Sequence, residues 1–564
     1  MDTDGTKVLA KALKAQGAKY WFGIWGIPVI NLGYSIQGEG IEYYGFRNEQ
    51  AASYAAGAVG YLTKRPGICM CVSGPGMTNC ISGLANAWSN KWPMLLIGGA
   101  HDLNQDGTGG FQEWDQLIAA QPFVKYYAKV TSVQRIPFYV AKAFRESMYG
   151  TPGPVYLDFP GSVLTSTCSE DEIKAYDYVE DIPRTFADPT CIAKAFDVLK
   201  GSKNPLVIVG KGITYSDASE EMRVFIEDTK LPFLPTPMAK GTLPDDHPQF
   251  VGSARSLALK DADVIVLACA RLNWILHFGH PPRFRKDVKI IQIENDPSEF
   301  HQNVRSEVIL YGDWKNILTQ LNEYNKDKAK YVYDSKTEWW GKLNKKIEEN
   351  KKVSEEMYSD KTIPMSYYSS INAVQQCLPK DCFIVSEGSN TMDIGRTILE
   401  NYRPKHRLDA GTFGTMGVGL AFSIAAQAVH KDKRIVLVIG DSAFGFSGME
   451  LETMARYNQP IIVVIINNNG IFTGVEEITK EDNANTIPIT ALSPWSKYEL
   501  MAEAFGGVGH KAKTPEEISA AMKEALADNK LHLINVAIDP YGSKKPQEFQ
   551  WLTKEEDKKP KARL

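Results

Sequence analysis

The chain has 564 residues, 43% of them hydrophobic and 23% charged, with a formal net charge of -4. This balance excludes a wholly disordered chain, and it gives no global basic field for a nucleic-acid backbone. No stretch reaches the roughly 18–20 uninterrupted apolar residues of a membrane span, and at about 100–200 residues per domain the length suits three to five domains or fewer large ones.

The N-terminal MDTDGTKVLAKALKAQG is charged and predicts a short amphipathic helix, without the apolar core of a signal peptide. Beyond it, apolar runs of strand length alternate with helical stretches, and Gly or Pro marks the junctions. These runs are PGICMCVSG at 66–74, WPMLLIGGA at 92–100, PVYLDFP at 154–160, PLVIVGKG at 205–212, DVIVLACA at 263–270, KIIQIEND at 289–296, RIVLVIGD at 434–441 and PIIVVIINNN at 460–469. Uninterrupted β-branched runs predict strands buried on both faces of a parallel sheet, with helices as crossovers. The fold class is therefore α/β.

Two stretches break the pattern. Residues 166–187 are acidic and lack strand runs, and residues 323–362 are rich in Lys and Glu around Trp339-Trp340. Each predicts a surface connection, the second largely helical. They part the chain into blocks of about 1–165, 188–325 and 363–541, each the size of one α/β domain. The first and third are candidates for similar folds doing different jobs.

The eight cysteines are too scattered for a disulfide scaffold. Cys69, Cys71, Cys269 and Cys382 sit in apolar, strand-like runs, so buried small hydrophobes are expected there rather than metal ligands. The expected setting is a reducing compartment or an organelle that receives folded protein.

The most informative segment is Gly440 to Gly470, GDSAFGFSGMELETMARYNQPIIVVIINNNG. A strand ends at Gly440-Asp441, a small-residue turn and a helix follow, and a second strand ends at Asn467-Asn468-Asn469. This βαβ unit places Asp and Asn at neighbouring carboxyl ends, where ligands bind in open parallel sheets. Asp441 and Asn468 offer hard oxygen ligands that suit Mg²⁺, an ion commonly shared with a phosphate. Ser442, Ala443 and the turn amides can approach that phosphate closely. An isolated Asp and Asn would equally read as a helix cap and a turn.

With GDS followed after 24 residues by NN, the segment resembles the motif of the thiamine-diphosphate-dependent enzymes. The resemblance implies three doubly wound parallel-sheet domains of the decarboxylase type: pyrimidine-binding at 1–165, nucleotide-binding-like at 188–325, and diphosphate- and Mg²⁺-binding at 363–541. A lid and targeting tail at 542–564 would complete the chain. The resemblance assigns Gly440, Asp441, Ser442, Ala443, Asn468, Gly470 and Ile471 to the cofactor, with Asp441, Asn468 and Gly470 as metal ligands. It also calls for a carboxylate beside N1′ of the aminopyrimidine, so that the 4′-nitrogen can remove the C2 proton. In FRNEQAASYAAGA that is Glu49, whose context is similar to the family's Arg-His-Glu-Gln; read alone, Glu49 is a first-turn helix acid. In DAGTFGTMGVGL at 409–420, the resemblance gives the Gly414 carbonyl to the 4′-amino group and wedges Met416 between the cofactor rings. Read alone, Met416 is a core residue at a helix N-terminus. Because the family's sites form between subunits, a homodimer or homotetramer is implied.

The segments FGIWGIPV at 22–29, SGPGMTN at 73–79, GGFQEWDQ at 109–116, ARLNWILHFG at 270–279, EGSNTMDIGR at 387–396 and PQEFQWLT at 546–553 resemble one branch, that of 2-hydroxyacyl-CoA lyases and oxalyl-CoA decarboxylases. The lyase reaction is favoured: a 2-hydroxyacyl-CoA yields formyl-CoA and an aldehyde one carbon shorter, as in fatty-acid α-oxidation. The decarboxylase alternative yields formyl-CoA and carbon dioxide from oxalyl-CoA. Phe111 and Gln112 stand where the oxalyl-CoA enzymes carry a Tyr-Glu pair, which implies an apolar acyl tunnel; the plain alternative makes Phe111 a core residue. Ile27 is placed with them at the substrate. Arg255, Arg271, Asn273 and Arg407 are the candidates for CoA, each with an ordinary ion pair or surface role as its alternative. GKG at 210–212 is a weak nucleotide-loop signal; relatives hold ADP, FAD or nothing there, and ADP is the candidate here. Phe549 and Trp551 are expected in a lid that excludes water. The terminal Ala-Arg-Leu resembles the tripeptide read by the peroxisomal import receptor, which gives a peroxisomal expectation. A silent assembly subunit is the rival from another class, and the intact Glu49, Asp441 and Asn468 argue against it.

Overall fold

The computed structural model describes residues 2–174 and 176–542. The expectations for Phe549, Trp551 and the terminal tripeptide therefore lie outside the described residues. Two compact units divide the chain: residues 1–184 with 370–540 form one, and residues 185–369 form the body of the other.

The strands in chain order begin with β1 (Asp2–Asp4), β2 (Tyr20–Gly23), β3 (Glu42–Gly45), β4 (Gly67–Cys71), β5 (Met94–Ala100), β6 (Tyr126–Lys129), β7 (Pro154–Pro160) and β8 (Thr167–Ser169). The second unit contributes β9 (Pro205–Val209), β10 (Phe233–Pro235), β11 (Val264–Ala268), β12 (Lys289–Glu294) and β13 (Ser306–Tyr311). The first unit then resumes with β14 (Phe383–Glu387), β15 (Arg407–Asp409), β16 (Ile435–Gly440), β17 (Ile462–Asn467), β18 (Val508–Ala512) and β19 (His532–Ala537).

Three parallel sheets result, with helices as crossovers. The N-terminal sheet runs β3-β2-β4-β5-β7-β6 and the C-terminal sheet β15-β14-β16-β17-β19-β18. Counted from its own first strand, each reads 2-1-3-4-6-5, so the two sheets of the first unit share one topology. The sheet of the second unit, β10-β9-β11-β12-β13, reads 2-1-3-4-5. β4, β5, β7, β9, β11 and β17 are buried along their whole length, as strands covered on both faces must be. In the first unit, the small-residue helices Glu49–Thr63 and Gly419–Val429 pack against each other between the two sheets. Their Ala and Gly faces permit the close approach.

The connections differ in detail from the sequence reading. The N-terminal helix spans Gly5–Ala15, capped by Asp4, whose side chain accepts from the Lys7 N–H at 3.0 Å. Residues 2–4, expected within that helix, instead form β1, which pairs antiparallel with β8 from the stretch expected to lack strands. The Lys- and Glu-rich stretch forms the helix Glu338–Tyr358. Among the described residues no helix is long and apolar enough to cross a membrane.

Candidate active site

In the C-terminal sheet, β14 and β16 are neighbours whose following chains depart to opposite sides, the switch point where ligands bind. Asp441 follows β16 directly and is buried. Its Oδ1 accepts from the Ser442 N–H at 2.9 Å and its Oδ2 from the Gly470 N–H at 3.0 Å, which ties the end of β16 to the loop after β17. Burial pushes the Asp441 carboxyl up to about 7 against the pull of these N–H bonds. Asn468 is buried as well, and its Nδ2 donates to the Phe472 carbonyl at 3.4 Å; Asn390 donates to the same carbonyl at 3.0 Å. Gly470 is required by close approach, because a Cβ there would stand 2.5 Å from the Gly474 Cα. Ile471 is half exposed beside it. Gly440 leads into the short helix Asp441–Gly445, which contains Ser442 and Ala443. A buried carboxylate, an amide and a carbonyl loop form a hard-oxygen set that fits Mg²⁺, and a cation would favour the charged form that burial disfavours.

The segment carrying Gly414 and Met416 is pinned on both sides. Glu387, buried at the end of β14, accepts the N–H groups of Gly417 and Gly419, and burial pushes its carboxyl up to about 7. From the N-terminal half, Asn86 Oδ1 accepts from Thr415 Oγ1 at 2.9 Å and Asn90 Oδ1 from the Thr412 N–H at 3.4 Å. Gly414 itself is exposed with φ of 68°, a left-handed conformation that favours glycine, and Met416 is half-buried.

In the N-terminal sheet, the carboxyl ends of β2, β3 and β5 supply the remaining expected residues, and the loop after β4 ties two of them together. β3 leads through Asn48, whose side chain caps the next helix by accepting from the Gln50 N–H at 2.8 Å, to Glu49 in that helix's first position. Asn79 Nδ2 donates to Glu49 Oε2 at 3.0 Å. The loop after β4 that contains Asn79 also meets the loop after β5: Ser73 Oγ donates to Gln112 Oε1 at 3.1 Å, and the Gly74 N–H donates to Gln116 Oε1 at 2.6 Å. Glu49 and Gln112 thus anchor opposite ends of one loop, SGPGMTN. Phe111 is 65% exposed, so the alternative of a packed core residue does not hold. Ile27, on the loop after β2, is 64% exposed.

The proposed CoA residues separate. In the second unit, Arg255 Nη2 donates to the Ile275 carbonyl at 2.7 Å, which brings it to the segment containing Arg271 and Asn273. Asn273 Oδ1 accepts from the Ile275 N–H at 3.1 Å. Arg407 is a correction. Expected as a CoA contact, it is fully buried in β15, where Nη1 donates to Asn401 Oδ1 at 3.2 Å and Nε lies 3.9 Å from Asp409 Oδ2. No surface of it is left for a phosphate. Glu387, Asn79, Asn86 and Asn390 had no role in the sequence reading. Glu387 and Asn390 stood in the quoted EGSN, but only the fold shows what they hold.

Two parallel sheets of one topology, one ending in a buried Asp-Asn pair and the other in a helix-opening Glu, define a thiamine-diphosphate enzyme. Family signatures agree: "Thiamine pyrophosphate enzyme, N-terminal TPP binding domain" matches residues 3–119, the central domain 192–321 and the C-terminal TPP binding domain 387–536. The chain belongs to the thiamine pyrophosphate enzyme family. It is similar to 2-hydroxyacyl-CoA lyase 1 of Homo sapiens, with 49% identity over 98% of this chain and 97% of the relative. It is also similar to 2-hydroxyacyl-CoA lyase of Arabidopsis thaliana (39%, over 95% and 96%) and to oxalyl-CoA decarboxylase of Escherichia coli K12 (39%, over 95% and 95%).

Proposed function

We propose that this chain is a thiamine-diphosphate- and Mg²⁺-dependent 2-hydroxyacyl-CoA lyase, cleaving the C1–C2 bond of a 2-hydroxyacyl-CoA to formyl-CoA and an aldehyde one carbon shorter. The carrying observation is the 49% identity to the human lyase along almost the whole of both chains. The exposed Phe111, with no hydroxyl to serve a small charged substrate, supports an acyl chain over an oxalyl group.

When bound, thiamine diphosphate supplies the carbon nucleophile and the electron sink for the cleavage. In this reading Glu49 would hold a proton at the pyrimidine N1′, the Gly414 carbonyl would accept from the 4′-amino group, and the Met416 side chain would support the cofactor. Asp441, Asn468 and Gly470 hold Mg²⁺, and Gly440, Ser442, Ala443 and Ile471 border the diphosphate. Ile27 and Phe111 line the acyl path. Gln112 carries no basic atom, so another group takes the substrate hydroxyl proton, and the formyl carbon finally receives a proton in its place. Arg255, Arg271 and Asn273 are proposed for CoA. The proposal extends to blocks 1–165, 188–325 and 363–541 as the three working domains and to sites shared within a homodimer or homotetramer. It further includes ADP at Gly210–Gly212, after β9, a substrate role for Phe549 and Trp551, and peroxisomal import through the terminal tripeptide.

The test is a side-by-side assay of purified protein, with thiamine diphosphate and Mg²⁺, on a long-chain 2-hydroxyacyl-CoA and on oxalyl-CoA. Formyl-CoA plus aldehyde from the first, with a much lower kcat/KM on the second, supports the lyase. Preference for oxalyl-CoA replaces it with the decarboxylase.

A further inference from the structure

The helix Glu450–Arg456 belongs to the C-terminal half of the first unit, yet its polar side chains reach the N-terminal half. The Gly45 N–H donates to Tyr457 Oη at 2.8 Å, and the Gly45 carbonyl accepts from Arg456 Nη2 at 2.6 Å. Two residues on, the Arg47 N–H lies 3.1 and 3.2 Å from Glu450 Oε1 and Oε2, and the Asn48 N–H donates to Glu450 Oε1 at 3.1 Å. Thr453 Oγ1 completes the set by donating to Glu450 Oε2 at 2.7 Å.

This arrangement has a topological reason. β3 is an edge strand; the Phe46 N–H just after it still donates to the Gly23 carbonyl of β2 at 3.0 Å, but beyond that the ladder ends and the Arg47 and Asn48 N–H groups need another acceptor. Glu450, only 1% exposed, supplies both oxygens as acceptors to that turn. A carboxylate accepting from several donors makes stronger bonds than a neutral side chain would. Asn48 is the cap of the following helix, and Glu49 is its first residue.

We propose that Glu450 is a positioning residue: by holding the Arg47 and Asn48 N–H groups it sets where the Glu49 carboxylate points. The proposal rests on the reading of Glu49 as the carboxylate that serves the cofactor's pyrimidine.

Three variants and two readouts test it. Glu450→Asp keeps the charge but falls one methylene short; a misplacement of about 1 Å can cost about 100-fold. Its kcat is expected to drop by about that factor, with KM changed by no more than about twofold. Glu450→Gln can present its amide oxygen to both N–H groups, so it is expected to retain kcat within about fivefold. In cofactor-free protein, hydrogen–deuterium exchange of the peptide spanning 45–50 should speed up at least about tenfold in the Asp variant and little in the Gln variant. A folded Glu450→Asp protein with normal kcat and unchanged exchange overturns the proposal. If that variant does not fold, Thr453→Val removes the hydroxyl that steers Oε2, and unchanged exchange and kcat there overturn it instead. The two readings separate through Glu49→Gln: full turnover in that variant removes Glu49 from catalysis, whereas the exchange result bears only on the tether.

Discussion

The carboxylate of Asp441 accepts the N–H of Gly470 at 3.0 Å, joining the end of one strand to the loop beyond the next. Burial disfavours its charge, so the cofactor-free protein holds this carboxylate at a cost that a cation would offset. Asp441→Asn keeps an acceptor oxygen and removes the charge. Its expected result at pH 8 is a cofactor-free Tm equal to or above that of the parent, together with a Kd for thiamine diphosphate in Mg²⁺ raised at least about tenfold, or about 1.4 kcal/mol. Calorimetry and a titration measure both. A normal Kd would take Asp441 out of the metal site.

Glu49 meets Asn79 across 3.0 Å and takes no part in the core. Glu49→Gln is therefore expected to fold as the parent does and to bind thiamine diphosphate within about threefold, since an exposed-to-half-buried isostere changes little in packing. Turnover should fall by at least about 100-fold, the low end of what a positioned acid–base group contributes. Wild-type turnover in this variant would remove the proton-relay assignment.

Phe111 is 65% exposed on a loop whose next residue, Gln112, is anchored to Ser73. Phe111→Ala should leave Tm unchanged within about 1 °C, because exposed side chains away from special features change stability by under about 0.5 kcal/mol. The expected change is in selectivity: kcat/KM for a long-chain 2-hydroxyacyl-CoA falls about tenfold, the value of about two buried methylenes, while that for a short-chain substrate holds. Equal losses on both substrates would show that Phe111 does not read the acyl chain.

What the amino-acid sequence revealed follows the physics of the sheets. All eight strands recognised from apolar runs are interior strands: β4, β5, β7, β9, β11, β12, β16 and β17. Among the described residues, none of the six edge strands of the three parallel sheets, β3, β6, β10, β13, β15 and β18, announced itself. An edge strand has one neighbour and, in all of these but the three-residue β15, only partial cover, so it needs no continuous β-branched run. β8, only three residues long, was hidden in an acidic stretch for the same reason. Asp441 and Asn468 were legible because a polar residue ending a long apolar run stands out. Glu450 was not, because its partner Arg47 is 403 residues away and a lone Glu in a helix carries no mark. Arg407 misled for the opposite reason: a surface role is the ordinary expectation for Arg, and only the sheet shows it buried beside Asp409.

That burial has a consequence for stability. Although burial opposes it, the charges of Arg396 and Arg407 hold the Asp409 carboxyl below its ordinary range. Arg407→Met removes one partner of a buried ion pair, which costs about 3 kcal/mol at the lower end of such losses, since Arg396 remains 3.2 Å from Asp409. Denaturant unfolding should report that loss, and KM for the acyl-CoA should stay within about twofold of the parent. A large rise in KM without loss of stability would restore Arg407 to the CoA site.

Glu387 gives the pH dependence its sign. Burial raises its carboxyl from 4.5 in the unfolded chain to about 7 in the folded one. Between those values the folded protein keeps the proton that the unfolded chain has released, so stability falls as pH rises through the window and stays lower above it. The span corresponds to about 3 kcal/mol. Glu387→Gln cannot ionise and lacks this slope, while still offering an oxygen to the Gly417 and Gly419 N–H groups. Measured on cofactor-free protein, the Tm of the parent minus that of Glu387→Gln should be larger at pH 5 than at pH 8. Other carboxyls raised in the same way, Asp441 and Glu450, are present in both proteins and cancel in the difference. A difference that is constant, or that grows with pH, would mean that the Gly417 and Gly419 N–H bonds hold Glu387 ionised throughout.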